Sequence, residues 1–394
     1  MTKDLVTQRC EFVALARMEG ANVAELCRRF GISRKSAYKW LDRAEGARDL
    51  SRALADRSRR PQQSPRRTEE RIEKQVTALR EQHPAWGPRK LRRRLSDLGH
   101  EGLPSVSTIG SILRRHGLID EDKGQQHRPY VRFERSVPNE LWQMDFKGHF
   151  AMSRGGRCHP LTVLDDHSRY LLALQACTRE NDDTVRPQLV ALFGRYGLPE
   201  NILCDNAAPW SGSCGEWTRM AVWLVRLGIR VLHGRPYHPQ TQGKEERLHR
   251  TLVAEVITRS DLRDLAHSQQ IFDAWRPIYN HQRPHEALGL ATPATRYQPS
   301  ARSLPKTLPP IEYASDDEVR MVKSRGEICW RNRSYYLGNA LRKEPIAIRP
   351  TATDGLYEVF FCHQRLGWID LHQPPARSKF HYLPLLKTHP HCNP

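Results

Sequence analysis

Cysteine pairs at metal-ligand spacing are missing from this 394-residue chain. The nine cysteines (Cys10, Cys27, Cys158, Cys177, Cys204, Cys214, Cys329, Cys362, Cys392) are scattered, with no Cys-x-x-Cys among them. That pattern argues against a disulfide framework and is expected of reduced thiols in a cytoplasmic protein. His389, His391 and Cys392 near the end lack the spacing of a closed tetrahedral zinc site. No apolar run is long enough to span a bilayer, and Met-Thr-Lys-Asp-Leu reads as no signal peptide, so no membrane partner is expected. A phosphate-binding Gly-x-x-x-x-Gly-Lys loop is also missing, which argues against a nucleotide cofactor. Acidic residues are in deficit: 44 Asp and Glu face 63 Lys and Arg, giving a net charge of +19 and favouring a polyanionic partner.

The basic excess is uneven. Residues 1–138 hold 30 Lys and Arg against 18 Asp and Glu, so about a third of the chain carries nearly two thirds of the surplus. Within residues 1–50, apolar positions at helical spacing over 5–18 precede a helix over Val23–Phe30, a Gly31-Ile32 turn, and Ser33 as N-cap of a helix over Arg34–Ala44. This is a helix-turn-helix pattern, with Arg34, Lys35, Ser36, Tyr38 and Lys39 expected on the helix that meets double-stranded DNA. Residues 51–67 read as a basic linker. Residues 68–120 predict a second helix-turn-helix, with helices over Arg89–Leu98 and Ser107–His116 and Arg89, Lys90 and Arg93 as DNA contacts. A linker is expected over 121–138.

Residues 139–298 predict an α/β layer. Strand candidates are Leu141–Met152, Leu161–Leu164 and Tyr170–Ala176, the last two flanking a turn at Asp165-Asp166-His167-Ser168. A helix over Asp182–Tyr196, a strand over Ile202–Cys204, a helix over about 214–227 and a strand over Ile229–His233 follow. Three antiparallel strands followed by alternating helices and strands is the order of an RNase H-like fold. Two strand ends carry acids, Asp145 and Asp205, and Glu246 stands near the start of an amphipathic helix. Acids end buried strands poorly unless something needs them. Two strand-borne carboxylates and one helix-borne carboxylate suit a pair of Mg²⁺ ions, or Mn²⁺ in their place, for in-line attack on a phosphodiester.

The strings Trp142-Gln143-Met144-Asp145, Val163-Leu164-Asp165-Asp166-His167-Ser168-Arg169-Tyr170, Cys204-Asp205-Asn206 and the run from Arg235 to Arg250 closely resemble the integrase core of bacterial insertion-sequence transposases. So do Tyr279-Asn280, Arg283-Pro284-His285, Leu288 and Thr292-Pro293, and the helix-turn-helix front end is similar too. The resemblance implies that Asp145, Asp205 and Glu246 are a DD-E triad and metal ligands, and that His238, Gln240 and Lys244 touch substrate DNA. Arg247 is expected either on phosphate or paired with a nearby glutamate. The chain departs from the family pattern at three places. The second and third acids have 40 residues between them, Ala207 replaces a usual glycine, and Glu245 stands where the family often has an apolar residue. On a helical wheel Glu245 points nearer the Leu248–Leu252–Val256 stripe than Glu246 does.

After a linker over 299–316, short strand-like runs over 317–375 predict a small SH3-like barrel, and 376–394 a tail. The resemblance implies a DNA transposase that binds insertion-sequence ends, nicks them by metal-dependent hydrolysis and joins the 3′-hydroxyl to target DNA. It would act as a homodimer or higher multimer on DNA, associated with the nucleoid. A catalytically silent DNA-binding regulator and a nuclease that only hydrolyses are the alternatives.

Overall fold

The computed structural model describes residues 5–56, 68–119, 134–205, 217–233, 243–372 and 381–382. The chain forms two compact units, residues 1–67 and 68–394.

The first unit is helical: α1 (Leu5–Ala16), α2 (Val23–Phe30), α3 (Arg34–Ala44) and α4 (Leu50–Leu54). Asn22 starts α2 by accepting from the main-chain N–H of Ala24 and Glu25, and Ser33 starts α3 by accepting from Ser36. Gly31, at φ 65°, takes the left-handed conformation that ends α2 and turns the chain sharply into α3. Phe12, Val13, Cys27, Ala37, Ala44 and Leu54 are buried together, with the Phe12 ring edge-on to Phe30 and Trp40. The first residues of the linker expected over 51–67 are therefore helical, and 57–67 lie outside the described residues. Leu54 is fully buried and Arg9 donates to its carbonyl at 2.7 Å, so α4 belongs to this unit. A five-residue helix is too short to produce a readable periodicity.

The second unit opens with α5 (Glu70–Gln82), α6 (Pro88–Asp97) and α7 (Val106–Arg115). Their apolar stripes meet around Val76, Trp86, Leu91, Ile109 and Leu113. The guanidinium of Arg80 ties this trio shut, donating to the carbonyls of Trp86 (2.6 Å) and Leu118 (2.9 Å).

Next come β1 (Leu141–Phe146), β2 (Phe150–Ala151), β3 (Arg157–Asp165), β4 (Leu171–Cys177), α8 (Asp182–Tyr196), β5 (Asn201–Cys204), α9 (Arg219–Arg226), β6 (Arg230–His233), α10 (Gly243–Leu252) and α11 (Leu265–Pro277). The sheet runs β3–β1–β5–β6, with β4 and the short β2 both paired to β3; β1, β5 and β6 are parallel and the other pairings antiparallel. This is the RNase H-like layer. The long strand expected over Leu141–Met152 is interrupted but not turned: around Gly148, at φ 84°, the ladder slips by one residue, and β2 continues in the direction of β1 along the same strand β3. The Tyr279–His285 motif has a structural task here. Asn280 acts as a surrogate strand residue for Leu171, accepting from its N–H at 2.8 Å and donating to its carbonyl at 3.0 Å. Arg283 pairs with Glu255 at 2.8 Å, and His285 packs edge-on against Tyr279.

The C-terminal part contains β7 (Glu318–Met321), β8 (Glu327–Trp330), β9 (Arg333–Tyr336), β10 (Pro345–Pro350), β11 (Leu356–Phe361), β12 (Gln364–Asp370) and β13 (His381–Tyr382). A small antiparallel sheet, β12–β11–β10–β7, lies beside a three-stranded one, β13–β9–β8. Arg331 and Asn332 both take positive φ, 47° and 60°, as a two-residue hairpin turn between β8 and β9 demands.

Residues 299–316 do not behave as a free linker. Ser300 and Arg302 are pinned to the loops after α8 and α9: Ser300 donates to Leu198, and Arg302 donates to Pro199, Leu227 and Gly228 at 2.6–3.1 Å. A side chain at Gly197 would come within 2.6 Å of the Ser300 carbonyl. Ile328, Trp330, Ile346, Val359 and Phe361 also share one continuous core with Trp223, Val225 and Ile229. Proline spacing signals an extended strand of chain. It carries no information about whether that strand is docked.

Candidate active site

The two strand-borne acids are brought together by sheet register. Gln143 pairs with Leu203 across the parallel β1–β5 ladder. Two steps further along each strand stand Asp145 and Asp205. Apolar side chains on one face hold these strand ends: Trp142, Met144, Ile202 and Cys204 are all buried in one core. His233, ending β6, meets the Asp205 carbonyl through its Nδ1 at 3.0 Å. Burial raises Asp145 from an ordinary 3.8 to about 7, and the negative charges of Asp205, Glu180 and Glu246 push the same way. Glu180 is held by His159 at 2.7 Å and was not singled out by sequence. It lies in a loop with no motif around it.

This upward shift has a stability consequence. Between pH 3.8 and about 7 the folded protein holds a proton on Asp145 that the unfolded chain has released. Metal-free stability is therefore expected to fall as pH rises through that window, and Asp145→Asn should flatten this part of the profile. Melting curves in a chelator from pH 4 to 8 check it; an Asp145→Asn profile parallel to wild type overturns the assignment.

The neighbouring glutamates of α10 part company, as the helical wheel predicts. Glu246 is exposed, and Glu245 is buried at 1 % exposure beside the Leu248–Leu252–Val256 stripe. Glu245 Oε2 accepts from the Thr162 hydroxyl at 2.9 Å. Burial, then the nearby Asp145, holds the Glu245 carboxyl well above the usual carboxylate range. Thr162 faces Asp145 across the β1–β3 ladder. Burial and Lys147 push His249, one turn after Glu245, down to about 4, so its imidazole is neutral.

Lys244 is committed within the protein. Its ammonium pairs with Asp166, whose side chain is fully buried and also accepts from Gln143 Nε2 at 2.7 Å and from the Arg135 N–H at 2.8 Å. Burial lowers Lys244 to about 8 despite that partner. Asp165 closes the turn as expected, accepting from the Ser168 N–H and hydroxyl. Asp166 does not share that duty: it is a strut joining β1, β3 and α10.

Other candidates separate by exposure. Arg34, Lys35, Tyr38 and Lys39 are exposed on α3, and Ser36 contributes to its cap. Arg89 is exposed on α6, and Arg93 pairs with Asp97 at 2.7 Å. Lys90 is turned inward, where burial and the nearby Arg283 lower it to about 8 against the pull of Glu255 and Glu286. Arg247 is exposed and stands 3.6 Å from Glu286. His238 and Gln240 lie outside the described residues. Among the described residues no group of three or more His, Cys, Asp and Glu side chains is gathered as a ready ligand set, and no helix is long and apolar enough to cross a membrane. The hard oxygen donors of Asp145 and Asp205, crowded until one favours its proton, nevertheless match what a divalent cation binds.

Comparison with known families adds to this geometry. Two models described as integrase core domain match residues 135–239 and 227–293. A helix-turn-helix domain matches 8–62, and a homeodomain-like domain matches 36–113. The fold and these matches define an integrase-core protein with helix-turn-helix domains in front of it. A model described as IS481 family transposase, C-terminal domain, matches residues 317–376. The chain's C-terminal part is thus that of an IS481-family insertion-element transposase, behind an integrase core and helix-turn-helix domains. The chain is 25 % identical over 192 residues to an uncharacterized 31.7 kDa protein of insertion element IS407 from Burkholderia multivorans, covering 47 % of this chain and 66 % of that one. It is 26 % identical over 210 residues to an uncharacterized 39.2 kDa protein of insertion element IS476 from Xanthomonas euvesicatoria, covering 51 % and 58 %. The chain thus spans less than two thirds of the length of these curated relatives. Among solved structures, the catalytic core domain of BIV integrase aligns with 40 % of this chain and 92 % of its own, at 23 % identity and a TM-score of 0.30.

Proposed function

We propose that the protein is a DD-E transposase that binds the ends of its insertion element, nicks them hydrolytically and joins the freed 3′-hydroxyl to target DNA. The observation that carries this reading is the convergence of Asp145 and Asp205 at adjacent parallel strand ends, with the charge of Glu246 felt at Asp145. Asp145, Asp205 and Glu246 would hold two Mg²⁺ ions, with Mn²⁺ as a substitute. When bound, the ions supply charge neutralisation to the attacking and leaving oxygens.

The chain's own residues do the rest. The β1–β5 register fixes two of the carboxylates, and α10 brings the third. Lys244, through Asp166, anchors the start of α10 to β1, so its contribution to DNA handling is positional. Arg34, Lys35, Ser36, Tyr38 and Lys39 on α3 and Arg89 and Arg93 on α6 supply the DNA-facing surface, with His238, Gln240 and Arg247 nearer the reacting strand. Lys90 joins them only by leaving its place beside Glu255. In the first step water attacks the phosphodiester and the 3′-oxygen leaves as a hydroxyl. In the second step that hydroxyl attacks a target phosphodiester and displaces its 3′-oxygen, so one bond replaces another and no nucleotide is consumed. Two ends processed together need two catalytic centres, hence a dimer or higher multimer on DNA. The C-terminal sheets close into an SH3-like barrel that supports this assembly.

The test is a strand-joining assay with Mg²⁺ and duplex DNA bearing the element's own ends. Joined product is expected. Cut DNA without joined product would make the protein a nuclease, and end binding without either product would make it a DNA-binding relative.

A further inference from the structure

We propose that Glu245, Thr162 and His249 form a buried positioning bridge that sets where Glu246 meets Asp145. The Thr162 hydroxyl is the hub. It lies 3.1 Å from the Asp145 carbonyl oxygen, 2.9 Å from Glu245 Oε2 and 2.9 Å from His249 Nε2. Three elements therefore meet at one oxygen: β1 through the main chain of Asp145, β3 through Thr162, and α10 through two side chains one turn apart. Glu245 precedes Glu246 directly, and Thr162 is the ladder partner of Asp145. No covalent path shorter than 100 residues joins Glu246 to Asp145, so their spacing depends on contacts such as these.

Packing alone does not account for Glu245. Its neighbours on the helix face are Leu248 and Leu252, against which an apolar side chain would settle without burying a carboxylate. Glu245 Oε1 has no hydrogen-bond partner among the described residues, so the carboxylate is retained at a desolvation cost. What the side chain adds is direction: a hydrogen bond fixes the rotation and height of α10 on the sheet, whereas an apolar contact tolerates slippage. Glu246, exposed on the next position, inherits that setting. None of the three bridge residues needs to touch DNA or the reacting atoms.

The inference rests on the DD-E reading, and the experiment separates the two. Full-length protein is titrated with Mn²⁺, reading the Mn²⁺-induced rise in Tm and the Mn²⁺ concentration giving half-maximal joining of end DNA. Thr162→Val and Glu245→Met should each need about tenfold more Mn²⁺ in both readouts, the scale usual for residues that orient metal ligands. Their joining should recover at saturating Mn²⁺, which a misfolded protein would not do. The metal-free Tm of Glu245→Met should equal or exceed that of wild type. Glu245→Gln and Thr162→Ser, which keep the hydrogen bonds, should stay within about twofold of wild type. Wild-type Mn²⁺ dependence in both Thr162→Val and Glu245→Met overturns the bridge. If Asp145→Asn retains the wild-type Mn²⁺ response, the metal-site reading is what fails.

Discussion

Glu246→Gln is expected to lower strand joining by on the order of a thousandfold or more while end binding stays near wild type. The amide keeps the size of the side chain and loses the charge that a cation site requires. Glu246 is exposed and outside the buried clusters, so its replacement should leave the fold undisturbed. Glu245→Gln is the informative contrast, because the two residues are adjacent and chemically identical. Burial puts Glu245 against the core and within reach of Thr162, and its amide analogue retains that bond. Joining assays and gel-shift titrations on the same preparations check both. A dead Glu245→Gln beside an active Glu246→Gln would move the triad by one position and with it the proposed mechanism.

The second large effect concerns stability. Asp166→Ala is expected to cost about 3–5 kcal/mol, the range for breaking a buried ion pair by removing one partner. In a unit of this size that is a fall in Tm on the order of 10 °C. Asp166 is fully buried and accepts from Lys244, Gln143 and the Arg135 main chain, so its loss removes one acceptor from all three at once. Adding Lys244→Met should restore part of the loss, since the desolvated ammonium that Asp166 offset is then gone too; the pair forms a double-mutant cycle. A loss under about 1 kcal/mol in chemical denaturation would show that water or rearrangement replaces the strut.

Local rules written into the sequence explain what was legible. Ser33 followed by a basic helix, Gly31 at a sharp turn, and acids ending apolar runs each depend on a few adjacent residues. The helical wheel likewise separated Glu245 from Glu246, because facing is fixed once a helix forms. Other features escaped because they depend on distant partners. Asp166 read only as part of a turn, because its neighbours Asp165 and Ser168 make one; Lys244, its partner, is 78 residues away. Lys90 read as a DNA contact in a run of arginines, and only the place of Glu255 and Arg283 turns it inward. Residues 299–316 read as a linker, because docking through Arg302 to three carbonyls leaves no mark on composition.

By itself the sequence determined the domain order, the helix starts and stops, the basic front end and which three carboxylates stand at the ends of their elements. Capping, periodicity and charge are properties of short stretches of chain. Tertiary structure alone decided that Asp145 faces Asp205, that Thr162 links Asp145 to Glu245, and that Lys244 serves the fold. Those pairings come from strand register and from helix packing on the sheet, where residues far apart in the chain compete for the same buried space.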